Sequence, residues 1–281
     1  MSSPLGSLAA NGALTAQRTR RPMTVPDFMA AKRQGVRLTV LTAYDYTMAK
    51  LLDDAGVDAI LVGDSLGMVV QGEPHSLRVT LDEMIYHTRL AARGTRNSLL
   101  IADMPFMSYQ VSPEQALASA GRLVKEGGAQ AVKLEGGRRS VAAIEAILRA
   151  DIPVMGHVGL TPQSVHRLGG FRVQRDAANL LEDALAIEKA GAFALVVECV
   201  PADLAEKIRT AVKIPTIGIG AGTGCDGQVL VTHDMLGLFT DLKPRFVKQF
   251  ASVGPAITQA VEQYCLEVRE GRFPAAEHSF R

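Results

Sequence analysis

Residues 131–137 read AVKLEGG, a strand-forming stretch with a lysine and a glutamate two positions apart. Successive side chains of a strand point to opposite faces, so Lys133 and Glu135 share one face and Val132 and Leu134 the other. Ionised groups are costly to bury unless they are paired or bind something charged. What the pair means therefore depends on the sheet around it. Seven further apolar runs define that sheet: LTVLTA (38–43), AILVGDS (59–65), SLLIADMPF (98–106), PVMGHVG (153–159), ALVVECV (194–200), PTIGIGAG (215–222) and, least distinct, QVLVTHD (228–234). Near-continuous hydrophobicity over such short lengths is the pattern of parallel strands buried on both faces.

Helix signals separate the runs. Thr80 with Glu83, and Ser112-Pro113-Glu114-Gln115, read as capping boxes, the second with proline at the first helical position. Thr161-Pro162 is another start of this kind. KLLDDAGVDA (50–59), RLVKEGGAQA (122–131) and AIEKAGAFA (186–194) each end a helix at glycine and pass into a strand. Eight such units predict an α/β chain folded as a single-domain (β/α)8 TIM barrel over residues 22–281, ahead of a doubly wound open sheet. Residues beyond about 243 read as closing helices, with a polar tail after Gly271. Residues 1–21, rich in small residues and free of acids, read as a disordered N-terminal extension rather than a transit peptide.

Composition narrows the function. The 281 residues are 47% hydrophobic and 21% charged, which suits a globular chain with a large core, and the net charge of +1 comes without a long basic block. Nucleic acid and anionic membrane are thus disfavoured as partners, and no apolar run is long enough for a membrane span. The three cysteines, Cys199, Cys225 and Cys265, are scattered, without metal-type spacing, and fit a reducing cytoplasm.

Charge recurs at the C-terminal ends of the apolar runs. Asp64 follows AILVG, Asp103 follows LLIA, Lys133 and Glu135 end the fourth run, His157 follows PVMG and Glu198 follows ALVV. In a barrel these ends converge on the face that carries active sites. Each residue alone has a plain structural reading: Asp64, Ser65 or Asp103 as helix caps, Lys133 as the partner of Glu135, His157 as a hydrogen-bonded core histidine. Five consecutive strands ending this way instead predict a polar catalytic mouth. Oxygen ligands without cysteine suit a hard cation such as Mg, which keeps water or substrate oxygens in its shell and needs only two direct carboxylates. A nearby lysine suits a substrate carboxylate or a developing enolate, and Glu198 is placed to act as general base. The glycine-rich GIGAGTG (218–224) reads equally as a phosphate cradle or as close backbone packing at the rim. Asp45 reads as a helix cap.

The motifs resemble the ketopantoate hydroxymethyltransferase family. The resemblance lies in LTAYDYTMAKLLDDAGVDAILVGDSLGMVVQG (41–72), IADMPFMSY (101–109), AVKLEGG, VMGHVGLTPQS (154–164), GIGAG and FPAAEHSF (273–280), and covers residues 22–281. It implies that Asp64 and Asp103 hold Mg with Glu135 contributing, and that Ser65, Lys133 and again Asp103 contact an α-keto acid. It further implies Glu198 as general base and His157 as a residue of the mouth. The implied reaction carries a one-carbon unit from 5,10-methylenetetrahydrofolate to 3-methyl-2-oxobutanoate, in a cytoplasmic homodecamer of two five-membered rings. Two other classes stand against it: a barrel lyase or mutase acting on phosphoenolpyruvate-like or 2-oxo acids, and a non-catalytic barrel. A folate requirement separates the first, and tolerance of Glu198→Ala the second.

Overall fold

The structure, a computed structural model, describes residues 21–280. Eight parallel strands close into a barrel in sequence order. They are β1 (Leu38–Thr42), β2 (Ala59–Val62), β3 (Leu99–Asp103), β4 (Ala131–Lys133), β5 (Val154–Gly159), β6 (Ala194–Glu198), β7 (Thr216–Ile219) and β8 (Gly227–Leu230). β8 returns to β1, with Val40 opposite Val229. All eight apolar runs are strands of one barrel, so the open-sheet alternative falls. Except for Arg21, the expected disordered extension over residues 1–21 lies outside the described residues.

Strand parity builds two apolar layers. One cluster holds Leu38, Val40, Ala59, Leu61, Leu99, Ile101, Ala131, Met155, Ala194, Val196, Ile217 and Val229, two residues apart along each strand, and fills the barrel. The alternate residues, among them Ile60, Val62, Leu100, Ala102, Val132, Val154, Val158, Leu195 and Val197, pack with the helices in a second cluster. That layer is why the strands read as apolar throughout.

The N-terminal end of the barrel is plugged by helix Val25–Gln34. Its Phe28 meets Phe193 edge-on, with ring centroids 5.8 Å apart. Beside it, Lys32 Nζ donates to the carbonyls of Arg209 (2.7 Å) and Ile214 (2.9 Å) and lies 3.1 Å from Asp226 Oδ2. Asp226 Oδ2 in turn accepts from the Thr216 backbone and hydroxyl. Arg209 Nη1 joins this ionic knot 3.6 Å from Asp226 Oδ1.

Local signals held in part. The Thr80–Glu83 capping box forms, and Asp45 caps its helix through Met48 N. At Ser112 only half a box forms: Ser112 accepts from Gln115 N, but the Gln115 side chain turns away to Met107 O and Val111 N. Thr161-Pro162 opens a 3-10 turn, Pro162–Ser164, rather than a long helix. β7 reaches β8 without an intervening helix. The expected closing helices are one helix, Val253–Arg269, with no buried residue. Its Ile257, Val261 and Tyr264 are about half exposed, so its apolar residues do not pack on this barrel.

Candidate active site

The column of interior residues explains AVKLEGG. Ala131 lies in the barrel interior, and Lys133 and Glu135 continue the same parity upward to the C-terminal face. The other strands end alike: Ile101 leads to Asp103, Met155 to His157 and Val196 to Glu198. Asp103 and Lys133 are register partners on neighbouring strands. Asp64, Ser65, Asp103, Lys133, Glu135, His157 and Glu198 all line one cavity of about 400 Å³. Six of the seven predicted residues arise at ends of five consecutive strands, and Ser65 lies in the turn after β2. All but Ser65 and Glu198 are buried.

These side chains form one polar web. Lys133 Nζ sits 2.9 Å from Asp103 Oδ1, an ionic contact off the hydrogen-bonding direction, and Oδ1 has no hydrogen-bond donor. Asp103 Oδ2 accepts from the Asp64 backbone N–H at 3.0 Å. His157 bridges two carboxylates, with Nδ1 3.5 Å from Glu135 Oε1 and Nε2 3.2 Å from Glu198 Oε2. Ser65 Oγ shares a 2.8 Å hydrogen bond with Tyr44 OH and caps nothing. The plain cap readings of Asp64, Ser65 and Asp103 therefore fail.

Burial sets the protonation states. Desolvation, then the neighbouring Asp103 and Glu135 charges, push Asp64 up to about 7. Burial also raises Asp103, against the lowering effect of Lys133. Desolvation alone would lower Lys133, but the charges of Asp103, Glu135 and Asp64 outweigh it and hold the ammonium above its usual range. For His157, burial and Lys133 work downward. Bonds to Glu135 and Glu198 win, and the imidazole is raised to about 9.

Three residues complete the web that charge patterning could not reveal. Gln163 Nε2 donates to Asp64 Oδ2 (2.9 Å) and to Met104 O (3.0 Å), and its backbone N–H donates to Glu135 Oε2 (3.1 Å). Tyr109 OH donates to Gln163 Oε1 at 2.7 Å, and the Glu135 backbone N–H lies 3.1 Å from the same phenol. Tyr44 holds Ser65. Tyr44, Tyr109 and Gln163 all lie inside the quoted motifs, but neutral side chains carry no charge signal.

Glycine permits the close approaches. A Cβ at Gly63 would come within 2.8 Å of Ser65 Oγ. At Gly159, φ is +98° and a Cβ would meet Glu198 O at 2.1 Å, so the backbone beside the Glu198 loop admits no side chain. In GIGAGTG, the space a side chain would need is taken by Phe246 at Gly220 and by Ala202 at Gly222, which favours the packing reading over a phosphate cradle.

Two buried carboxylates that repel each other, one bearing an oxygen without a donor, suit a hard divalent cation. Asp64 and Asp103 form that pair. Among the described residues no three His, Cys, Asp or Glu side chains are placed to hold a metal together. Glu135, which the resemblance implies as a contributor to the metal site, accepts from the Gln163 backbone N–H through Oε2 and lies 3.5 Å from His157 Nδ1 through Oε1. The residues thus fit Mg through two carboxylates, with the rest of its shell left to water or substrate.

The solved structures most like this one include phosphonopyruvate hydrolase complexed with oxalate and Mg++ (TM-score 0.61, 15% identity, 91% of this chain and 93% of that one). Another is 2,3-dimethylmalate lyase, of the PEP mutase/isocitrate lyase superfamily (TM-score 0.59, 16% identity, 91% of each chain). At such identity the likeness is one of fold. Sequence relatives are far nearer. The 3-methyl-2-oxobutanoate hydroxymethyltransferase of Pelobacter propionicus is 56% identical over 93% of this chain and 98% of its own length. Those of Clostridium novyi (58%, 92% and 95%) and Moorella thermoacetica (56%, 95% and 100%) are similar. The profile of the family Ketopantoate hydroxymethyltransferase matches residues 22–276, a span that takes in all eight strands and every residue of the polar web. The chain belongs to the ketopantoate hydroxymethyltransferase family.

Proposed function

We propose that this chain is a 3-methyl-2-oxobutanoate hydroxymethyltransferase of pantothenate biosynthesis. With 5,10-methylenetetrahydrofolate and water it converts 3-methyl-2-oxobutanoate into 2-dehydropantoate and tetrahydrofolate. The observation that carries this reading is the near full-length identity to relatives of that name, joined to a mouth whose charges suit a keto acid.

Asp64 and Asp103 would hold Mg, which when bound supplies Lewis-acid polarisation of the keto group and so acidifies C3. The chain's own residues do the rest. Ser65, oriented by Tyr44, and Lys133 bind the substrate's oxygens, and the ammonium offsets negative charge as the enolate forms. Glu198 takes the C3 proton onto its carboxylate. His157, 3.2 Å from Glu198, orients that carboxylate and compensates its charge. Water adds to the donor's methylene carbon as its two C–N bonds break, so that tetrahydrofolate leaves with its nitrogens protonated. The enolate carbon attacks the freed formaldehyde-level carbon, and the proton held by Glu198 returns to its oxygen to give the hydroxymethyl group. Glu135 and Gln163 brace His157 and Asp64. Cys199 also lines the cavity, and burial pushes its thiol up to about 12, which keeps it protonated rather than a thiolate.

A homodecamer is the assembly we propose, supported by the family resemblance and by the uncovered apolar residues of helix Val253–Arg269. Light scattering after gel filtration tests it: a monomer at micromolar concentration refutes it. A cytoplasmic placement is part of the same proposal. It is supported by three free cysteines, and no helix among the described residues is long and apolar enough to cross a membrane.

The test of the chemistry is C3 proton exchange of 3-methyl-2-oxobutanoate in heavy water, followed by NMR, without folate. Exchange that requires Mg and vanishes in Glu198→Gln supports the assignment. Exchange at wild-type rate in Glu198→Gln sinks Glu198 as base. If wild type exchanges no proton and forms no 2-dehydropantoate when the folate donor is added, the assigned reaction is wrong.

A further inference from the structure

The polar web occupies only the floor of its cavity. Above it, two segments face each other across the opening. The loop after β5 contributes Phe171 and Val173, and the segment after β8 contributes Phe239, Leu242, Arg245 and Phe246. Phe171, Val173 and Leu242 are about half exposed, an unusual state for large apolar side chains beside an active site. Two charged groups interrupt this apolar wall. Asp234 lines the cavity half-buried, its carboxylate without a hydrogen-bond or ion-pair partner among the described residues. Arg245, more exposed, is equally unpaired among the described residues. The mechanism above uses neither.

A five-carbon keto acid whose polar groups sit on the floor leaves most of about 400 Å³ empty. The one-carbon donor must deliver its methylene to the enolate carbon there, so it must enter the same cavity. A reduced folate has three parts of distinct chemistry: an aminopyrimidinone edge rich in N–H donors, flat ring faces, and an anionic glutamate tail. The wall offers a match to each: a lone carboxylate accepts a paired N–H edge, apolar rings cover flat faces, and a guanidinium binds carboxylates bidentately.

Resting on the reaction proposed above, we infer that this wall is the donor subsite. Asp234 pairs with the aminopyrimidinone edge, Phe171, Val173, Phe239 and Leu242 cover the rings, and Arg245 pairs with the glutamate tail. A second cavity of about 410 Å³ is also lined by Glu135 and carries Arg139. Tyr109 and Gln163, hydrogen-bonded to each other, line that second cavity, and Glu198 does not. None of Asp64, Ser65, Asp103, Lys133 and Glu198 borders that cavity, so it does not present a donor to the enolate carbon.

The experiment compares wild type, Asp234→Ala, Asp234→Asn, Arg245→Ala and Arg139→Ala, each checked for an intact melting transition. Steady-state kinetics use 5,10-methylenetetrahydrofolate and its pteroate analogue, which lacks the glutamate tail. The expected result for Asp234→Ala is a rise of about tenfold or more in KM for the folate, well beyond any change in KM for the keto acid. Asp234→Asn, which keeps one acceptor oxygen, falls between. Arg245→Ala abolishes the preference for glutamylated donor over pteroate, and Arg139→Ala keeps it. The subsite is overturned if folate KM stays within about twofold in both Asp234 variants and the glutamate preference survives Arg245→Ala, or if Arg139→Ala removes that preference instead. Those results leave the reaction itself standing. If wild type exchanges the C3 proton but makes no product from any folate, the reaction and the subsite fall together.

Discussion

Replacing Gln163 by leucine tests whether the polar web is held as described. Leucine fills similar volume, so no large cavity opens for water. It removes the donor to Asp64 Oδ2, the donor to Met104 O and the acceptor for both Tyr109 OH and Gln110 Nε2. The Gln163 backbone bond to Glu135 is untouched. A bond to a buried carboxylate contributes about 2 kcal/mol and each of the other three about 1 kcal/mol, giving roughly 5 kcal/mol. For a chain of this length that corresponds to a fall of roughly 10 °C in Tm. Catalysis suffers separately, because Asp64 loses the amide that fixes its orientation, and KM for the keto acid rises. Differential scanning calorimetry beside steady-state kinetics reads both. A Tm within about 3 °C of wild type together with an unchanged keto-acid KM refutes the idea that Gln163 organises the site.

Four further outcomes are expected. Because the folded-state value of His157 is raised from 6.5 to about 9, its contribution is fully present below pH 6.5 and lost as pH rises through 9. The contribution is roughly 3 kcal/mol, and His157→Gln flattens that part of the Tm–pH profile; an unaltered profile contradicts the assignment. Gly63→Ala, whose Cβ would press on Ser65 Oγ, lowers kcat/KM for the keto acid at least tenfold with little loss of Tm. Asp226→Ala strands Lys32 at the base of the barrel and destabilises by about 3 kcal/mol in urea melts, while KM for the keto acid is unaffected. Glu198→Gln retains keto-acid binding, measured by calorimetry, while C3 exchange is lost.

The barrel was legible because its strands are buried on both faces, so each announced itself as an apolar run. The charged residues of the mouth were legible for the complementary reason: ionised groups are out of place at the ends of such runs unless they meet there. What stayed hidden depends on three-dimensional pairing. Gln163, Tyr109 and Tyr44 are neutral, and their importance lies only in which charged neighbour each touches. The family resemblance implies Glu135 near the metal; that Gln163 and His157 contact its oxygens is a pairing that sequence spacing does not reveal. The Ser112 box failed because Gln115 had a competing carbonyl within reach at Met107. The apolar residues of the last helix suggested closure, yet hydrophobic spacing states that a face wants cover without naming the surface that covers it.

The plug of Phe28 and Phe193 and the Lys32–Asp226 knot lie at the opposite end of the strands from the polar mouth. The apolar interior of the barrel stands between them as an insulating spacer. Thermal robustness and substrate choice are therefore separable engineering problems in this chain. Libraries built on the helix Val25–Gln34 and its neighbours can be screened for heat tolerance alone, and libraries on the loops of the mouth for new acceptor acids, before the winners are combined with near-additive effect.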